Sequence, residues 1–137
     1  PAENFTYLNF GPENSRRFRA LPVWFSLTAY GRNGFAWIVE NNIALAKKLG
    51  ERIEKETAFE LAVPVRLNVV CFTTKDSHMR KERIDRALRQ LNERGKVFMT
   101  PTLYNGVYCL RAALVNWRTT EQDIDIAINE FAQINFE

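Results

Sequence analysis

The sequence predicts an α+β fold, a small antiparallel sheet of about four strands covered by helices, and three observations carry that expectation. Apolar residues recur at helical spacing in four stretches, β-rich residues dominate four others, and the β-rich stretches come in neighbouring pairs divided by turn or breaker residues. Neighbouring strands joined by short connections pair antiparallel, and helices then cover one face. With 137 residues and 46% of them hydrophobic, the chain has the length of one domain and the apolar content for a modest core.

Residues 1–15, with Gly11-Pro12 and several polar side chains, read as a loop or short strand arriving from elsewhere, and 16–137 as the folded domain. Leu21, Trp24, Phe25 and Thr28 space a first helix, with Ser15 as its cap, Pro22 near its start and Gly31 as its stop. A second helix follows Gly34, its apolar face built from Phe35, Ile38, Leu45, Leu49 and Ile53. "FELAVPVRLNVVCFTT" then switches to β-rich residues, with Pro64 dividing strands of about 59–63 and 65–73. Helical spacing returns through Ile84, Ala87, Leu88 and Leu91 and ends near Gly95. Two further strands flank Asn105-Gly106, the strongest hairpin signal in the chain. Thr120, with Asp123 three residues on, is an acidic variant of a capping box. It opens a last helix that faces the core through Ile124, Ile128 and Phe131.

Nineteen basic against sixteen acidic residues give a formal charge of +3, a mixed surface that argues weakly for nucleic acid or acidic membranes as partners. No apolar run approaches the roughly 18 residues needed to span a bilayer. "PAENFTYLNF" lacks the zones of a signal peptide, so a soluble cytoplasmic protein is expected. Beginning at Pro1 without a methionine, the chain reads as a processed product or an excised piece. Cys71 and Cys109 lie far apart, each inside a strand-like run, which suggests reduced core residues rather than a redox or zinc motif.

A complete catalytic apparatus is hard to assemble from these residues. His78, the single histidine, sits in the polar stretch "TTKDSHMRKE" away from any ligand-spaced cluster, so no metal is expected. Phosphate-binding glycine loops and the GxSxG elbow are missing. Glu82, Asp85 and Glu93 interleave with Arg83, Arg86 and Arg89 as a solvated helix face does. Arg16, Arg17 and Arg19 beside Phe18 and Trp24 would suit RNA. The strands, however, lack the aromatic signature of an RNA-binding sheet, and an interdomain surface is the better reading. A free-standing regulatory or RNA-binding module remains the rival.

Arg111 stands apart. Alternation places Cys109, Arg111 and Ala113 on one sheet face and Leu110, Ala112 and Leu114 on the other, which suits the helix layer. A guanidinium stays charged and calls for an anion, either a structural Glu or Asp or a carboxylate lying beyond the open face.

The blocks "SRRFRALPVWFSLTAYGRNGFAWIVENNIALAKKLGERI", "LNVVCF" and "YCLRAALVNWRTTEQDIDIAINEF" resemble, in order and spacing, the C-terminal part of the pyridoxal-phosphate-dependent group II amino-acid decarboxylases. That family includes aromatic-amino-acid, tyrosine, glutamate, histidine and 2,4-diaminobutyrate decarboxylases. The specific elements are the RRFR-x-L-x-x-W helix start, the YG-x-x-G break, and the LR-x-A strand leading to N-x-x-T-T-x-x-D.

The resemblance implies the small C-terminal domain of a fold-type I enzyme, with residues 1–15 ending the large-domain and catalytic-loop region. It implies decarboxylation of an L-amino acid to an amine with pyridoxal 5'-phosphate as cofactor. Its implied partners are the large cofactor-binding domain of the same enzyme, a second copy in a homodimer and the amino-acid substrate, with no nucleic acid and no membrane. The family's N-x-H-K-like lysine motif and its ring-stacking histidine and pyridine-nitrogen aspartate motifs do not occur here. Lys47, Lys48, Lys55, Lys75, Lys81 and Lys96 sit in polar settings, so the isolated chain is expected to be inactive and to supply no cofactor-binding or catalytic residue. Arg111 matches the arginine that glutamate decarboxylases of the family place against a substrate carboxylate, which implies a substrate-binding role. Arg16 and Arg17 match an arginine pair near the domain junction.

Overall fold

The computed structural model describes residues 20–136. Ser15, the segment 1–15 and the Arg16, Arg17, Phe18, Arg19 cluster lie outside the described residues. Two compact units, Pro1–Phe35 and Ala36–Glu137, divide the chain.

In the first unit, α1 (Ala20–Glu56) begins with Pro22 close to its start, and the Pro22 carbonyl accepts the Ser26 hydroxyl at 2.8 Å. Gly31 interrupts the helix at φ 60° and ψ −172°, a backbone conformation glycine adopts for want of a Cβ. The two expected helices are therefore one element broken where the sequence places a stop. Leu21, Trp24 and Phe25 of the expected apolar stripe are exposed, as are Val23, Leu27 and Tyr30.

In the second unit, α1 buries Leu45, Leu49 and Ile53 at helical spacing. It is followed by β1 (Phe59–Leu61), β2 (Val69–Thr74), α2 (Arg80–Arg94), β3 (Thr100–Tyr104), β4 (Val107–Ala113) and α3 (Glu121–Ala132). The sheet order is β1-β2-β4-β3, every pair antiparallel, with three-residue β1 at one edge and β3, which contains Pro101, at the other. The expected α+β fold is thus observed.

Phe59, Val70, Phe72, Leu110 and Leu114 form the sheet's side of the core. They pack with Ile53 of α1, Ile84 and Leu91 of α2, and Ile124, Ile128 and Phe131 of α3. Phe59 meets Phe72 and Phe131 edge-on, at centroid distances of 5.4 and 6.1 Å, the arrangement ring quadrupoles favour. α2 closes as expected at Gly95, φ 66°, whose N–H donates to the Leu91 carbonyl at 3.0 Å. Asn105 and Gly106 take φ of 47° and 79°, the left-handed pair that a two-residue hairpin turn requires.

The β1 and β2 boundaries correct the sequence reading. Strand structure ends at Leu61 and resumes at Val69 rather than at 65. Pro64 has no N–H for the ladder, and Val65 packs towards Gly50 of α1 instead of entering the sheet.

Candidate functional site

The helices cover one sheet face, and the opposite face carries side chains in two rows. In one row Cys71 of β2 stands opposite Arg111 of β4, and Arg111 opposite Thr100 of β3. In the next, Glu60 stands opposite Thr73, and Cys109 opposite Thr102; continuing the β2–β4 register sets Thr73 beside Cys109. From Leu110 onward the alternation read from the sequence is observed, with Leu110 and Leu114 buried and Arg111 and Ala113 exposed, whereas Cys109, on the Arg111 face by register, is buried as well.

Among the described residues, no carboxylate forms an ion pair or hydrogen bond with Arg111. The structural ion pair that composition alone allowed is therefore not formed within them. Both cysteines are free, Cys71 half-buried and Cys109 buried. Burial pushes the Cys71 thiol up from its ordinary value, with the Arg111 guanidinium opposing. Burial, and then Cys71, push the Cys109 thiol up, opposed by the charge of Arg80 and a backbone hydrogen bond. The face therefore carries a half-buried neutral thiol, Cys71, and the Thr100 hydroxyl beside the exposed Arg111, while Cys109 is buried.

Arg80 was not singled out by sequence reasoning. It is the first residue of α2, preceded by Met79 at φ 49°, and it approaches Glu60 with Nη2 3.9 Å from Oε1. No local pattern marks a helix-start arginine as one that meets the far sheet face. His78 is exposed, its backbone N–H donating to Asp76 Oδ1 at 2.9 Å. Among the described residues, no three His, Cys, Asp or Glu side chains gather as metal ligands would.

The lysines do not fit covalent attachment of a cofactor aldehyde, which needs an amine able to lose its charge beside the ring. Lys48 pairs with Glu121 at 2.7 Å, Lys81 with Asp85 at 3.1 Å and Lys96 with Glu130 at 2.8 Å. Lys75 Nζ donates to the Glu54 and Thr57 carbonyls at 2.9 and 2.8 Å, while Lys47 and Lys55 are exposed. No chemical step is therefore routed through the cofactor on these residues.

This fold recurs in solved decarboxylase structures. Tryptophan decarboxylase from Catharanthus roseus, crystallised with L-tryptophan, superposes with a TM-score of 0.73 at 30% identity, over 91% of this chain and 27% of that one. Aromatic-L-amino-acid decarboxylase from Drosophila lebanonensis is 34% identical over 115 residues, 84% of this chain and 28% of its own length. 3,4-Dihydroxyphenylacetaldehyde synthase from Drosophila melanogaster is 35% identical over 84% of this chain and 22% of its own. The chain thus spans about a quarter of the length of these relatives. The profile of the pyridoxal-dependent decarboxylase conserved domain matches residues 5–75, and the chain belongs to this family.

Proposed function

We propose that the chain is the C-terminal small domain, 16–137, of a cytoplasmic, homodimeric amino-acid decarboxylase dependent on pyridoxal phosphate, with residues 1–15 ending its large-domain region. In that reading the domain supplies one wall of the active site and part of the dimer scaffold. The cofactor, held by the large domain, would supply an electron sink for the bond to the departing carboxylate.

One observation carries the reading for this chain's own residues: Arg111 is exposed and, among the described residues, without a carboxylate partner, on a face whose other side is packed by helices. A planar guanidinium takes a carboxylate through two parallel N–H donors, fixing its plane as well as its position. Arg111 would hold a substrate carboxylate in this way, while the neutral thiol of Cys71 and the hydroxyl of Thr100 beside it add no competing charge.

The test is an amino-acid panel with the full-length protein, scored for amine and carbon dioxide, followed by Arg111→Lys and Arg111→Ala. Both variants should lose kcat/KM, by on the order of 2 to 4 kcal/mol for the alanine, because the charged partner is removed. Wild-type values in both would overturn the role of Arg111. An aldehyde in place of the amine would overturn simple decarboxylation, and salt-sensitive affinity for oligonucleotides without amine formation would favour an RNA-binding module.

A further inference from the structure

We propose that a groove in the second unit, between α1 and the segment leading from β4 into α3, is a separate ligand site for a flat aromatic acid. The ring would lie against Trp37 and Trp117, and the acid group would meet Arg118. None of these residues belongs to the open sheet face, and the role proposed for Arg111 is not needed.

The groove is built before any ligand arrives. Trp37, Asn41, Ala44 and Lys48 recur at helical spacing and share one face of α1. The segment after β4 is fastened to that face at two points: Asn41 Nδ2 donates to the Thr119 carbonyl at 3.4 Å, and Lys48 Nζ lies 2.7 Å from Glu121 Oε2. The space these residues line, with buried Leu45 in its wall, measures about 550 Å³. Small-molecule sites fall in the range of roughly 300 to 1,000 Å³.

Aromatic surface is the first support. Trp37 is 56% exposed and Trp117 47%, so two of the largest apolar side chains line one opening and still meet water. A flat ring entering between them removes apolar area on both sides and stacks on the π-face of an indole.

Charge is the second. The Arg118 guanidinium lies over the Trp117 ring, 4.8 Å from its centroid. Stacking fixes its plane and leaves the edge N–H donors for an acceptor lying in that plane. Its neighbouring carboxylates are committed: Glu121 to Lys48, Asp123 to the Thr120 N–H and hydroxyl, and Asp125 to Arg52. Among the described residues Arg118 has no carboxylate partner, and with Lys48 matched by Glu121 it is the unbalanced charge of the groove. An amine would be repelled there, a neutral ring would leave the guanidinium unmatched, and an acid without a ring would leave the indoles in water.

Calorimetric titration of the full-length protein with naphthoate, naphthamide and cyclohexanecarboxylate separates these contributions without reading turnover. Naphthoate should bind on the order of tenfold tighter than either analogue, and that advantage should fall away in Arg118→Gln and in Trp37→Leu. Both positions are exposed, and unchanged thermal midpoints would show that the variants keep the fold. With fluorotryptophan incorporated, the signals of Trp37 and Trp117 should move as naphthoate is added. Arg111→Ala is the control, because that arginine would also take a carboxylate, and it should leave the affinity unchanged.

Equal affinity for the three probes overturns the site, as does binding that follows Arg111 instead of Arg118 and Trp37. Absence of naphthoate binding overturns it too, since the rest of the protein would then cover the groove. A protein that formed no amine yet bound naphthoate through Arg118 would lose the decarboxylase reading and keep this site.

Discussion

Tyr108 and Asp85 fasten the sheet to α2: the phenol donates to Asp85 Oδ1 at 2.9 Å, and Lys81, one turn earlier on the helix, holds Oδ2 at 3.1 Å. Two different elements thus engage the two oxygens of one carboxylate. Burial works against the Asp85 charge, but the Tyr108 and Lys81 hydrogen bonds outweigh it and hold the carboxyl below its ordinary value. The same bond holds the Tyr108 phenol above its own.

Tyr108→Phe should destabilise the protein by about 1 kcal/mol at pH 7, the net worth of one such hydrogen bond. Because the Asp85 pKa is depressed on folding, its contribution is present above the ordinary carboxylate value of about 4 and is lost as pH falls through the folded value. The gap between wild type and variant should therefore narrow in acid. Urea unfolding at a series of pH values checks this, and a gap that widened below pH 4 would contradict it.

Glu130 is buried, yet it is held by two cations from the far end of α2 and the loop beyond. Arg94 Nε lies 2.8 Å from Oε2 and Lys96 Nζ 2.8 Å from Oε1, and Arg94 also donates to the Glu130 carbonyl at 3.1 Å. Arg94→Ala should cost roughly 2 to 3 kcal/mol, since it leaves a buried carboxylate with only the largely exposed Lys96. Lys96→Ala should cost about 1 kcal/mol or less, because Lys96 is largely exposed and its partner keeps Arg94. Equal losses on chemical denaturation would mean that the pair does not divide in this way.

Gly50 lies in α1 where a built Cβ would come within 2.7 Å of Val65 Cγ2. Alanine gains about 1 kcal/mol of helix propensity over glycine, but overpacking costs about 1 to 3 kcal/mol. Gly50→Ala should therefore lower the thermal midpoint by a few degrees, a loss on the order of 1 kcal/mol. A midpoint raised by the substitution would show that Val65 yields freely.

At the start of α3 the Thr120 N–H donates to Asp123 Oδ2 at 2.7 Å. That bond, followed by the Thr120 hydroxyl, holds the Asp123 carboxyl below its ordinary value. Asp123→Asn should cost about 0.5 to 1 kcal/mol at neutral pH, where the anion also favours the helix N-terminus. The sign follows the depressed pKa: the difference disappears as pH falls through the folded value, which parallel acid titrations of the two proteins would show.

Local signals explain what the sequence made legible. The alternation from Cys109 to Leu114 assigned the two faces, Asn105-Gly106 placed the hairpin, and Thr120 with Asp123 marked the last helix, because each is written within a few residues. Strand limits near Pro64 were lost because the β-rich pattern runs on through Val65, whose apolar side chain is used by α1. Glu130 and Arg80 escaped for another reason. One takes its partners from residues 34 and 36 positions earlier, and the other reaches a face its own helix does not cover.

The strand order has a consequence for how this unit meets other chains. One margin of the sheet is only three residues long, and the other carries Pro101, which has no N–H to offer an incoming strand. Lateral growth by backbone pairing, the first step towards cross-β stacking, is thus discouraged on both sides. Recruitment is left to side chains standing on the face, where specificity is written in charge and shape instead of in the ladder common to every polypeptide.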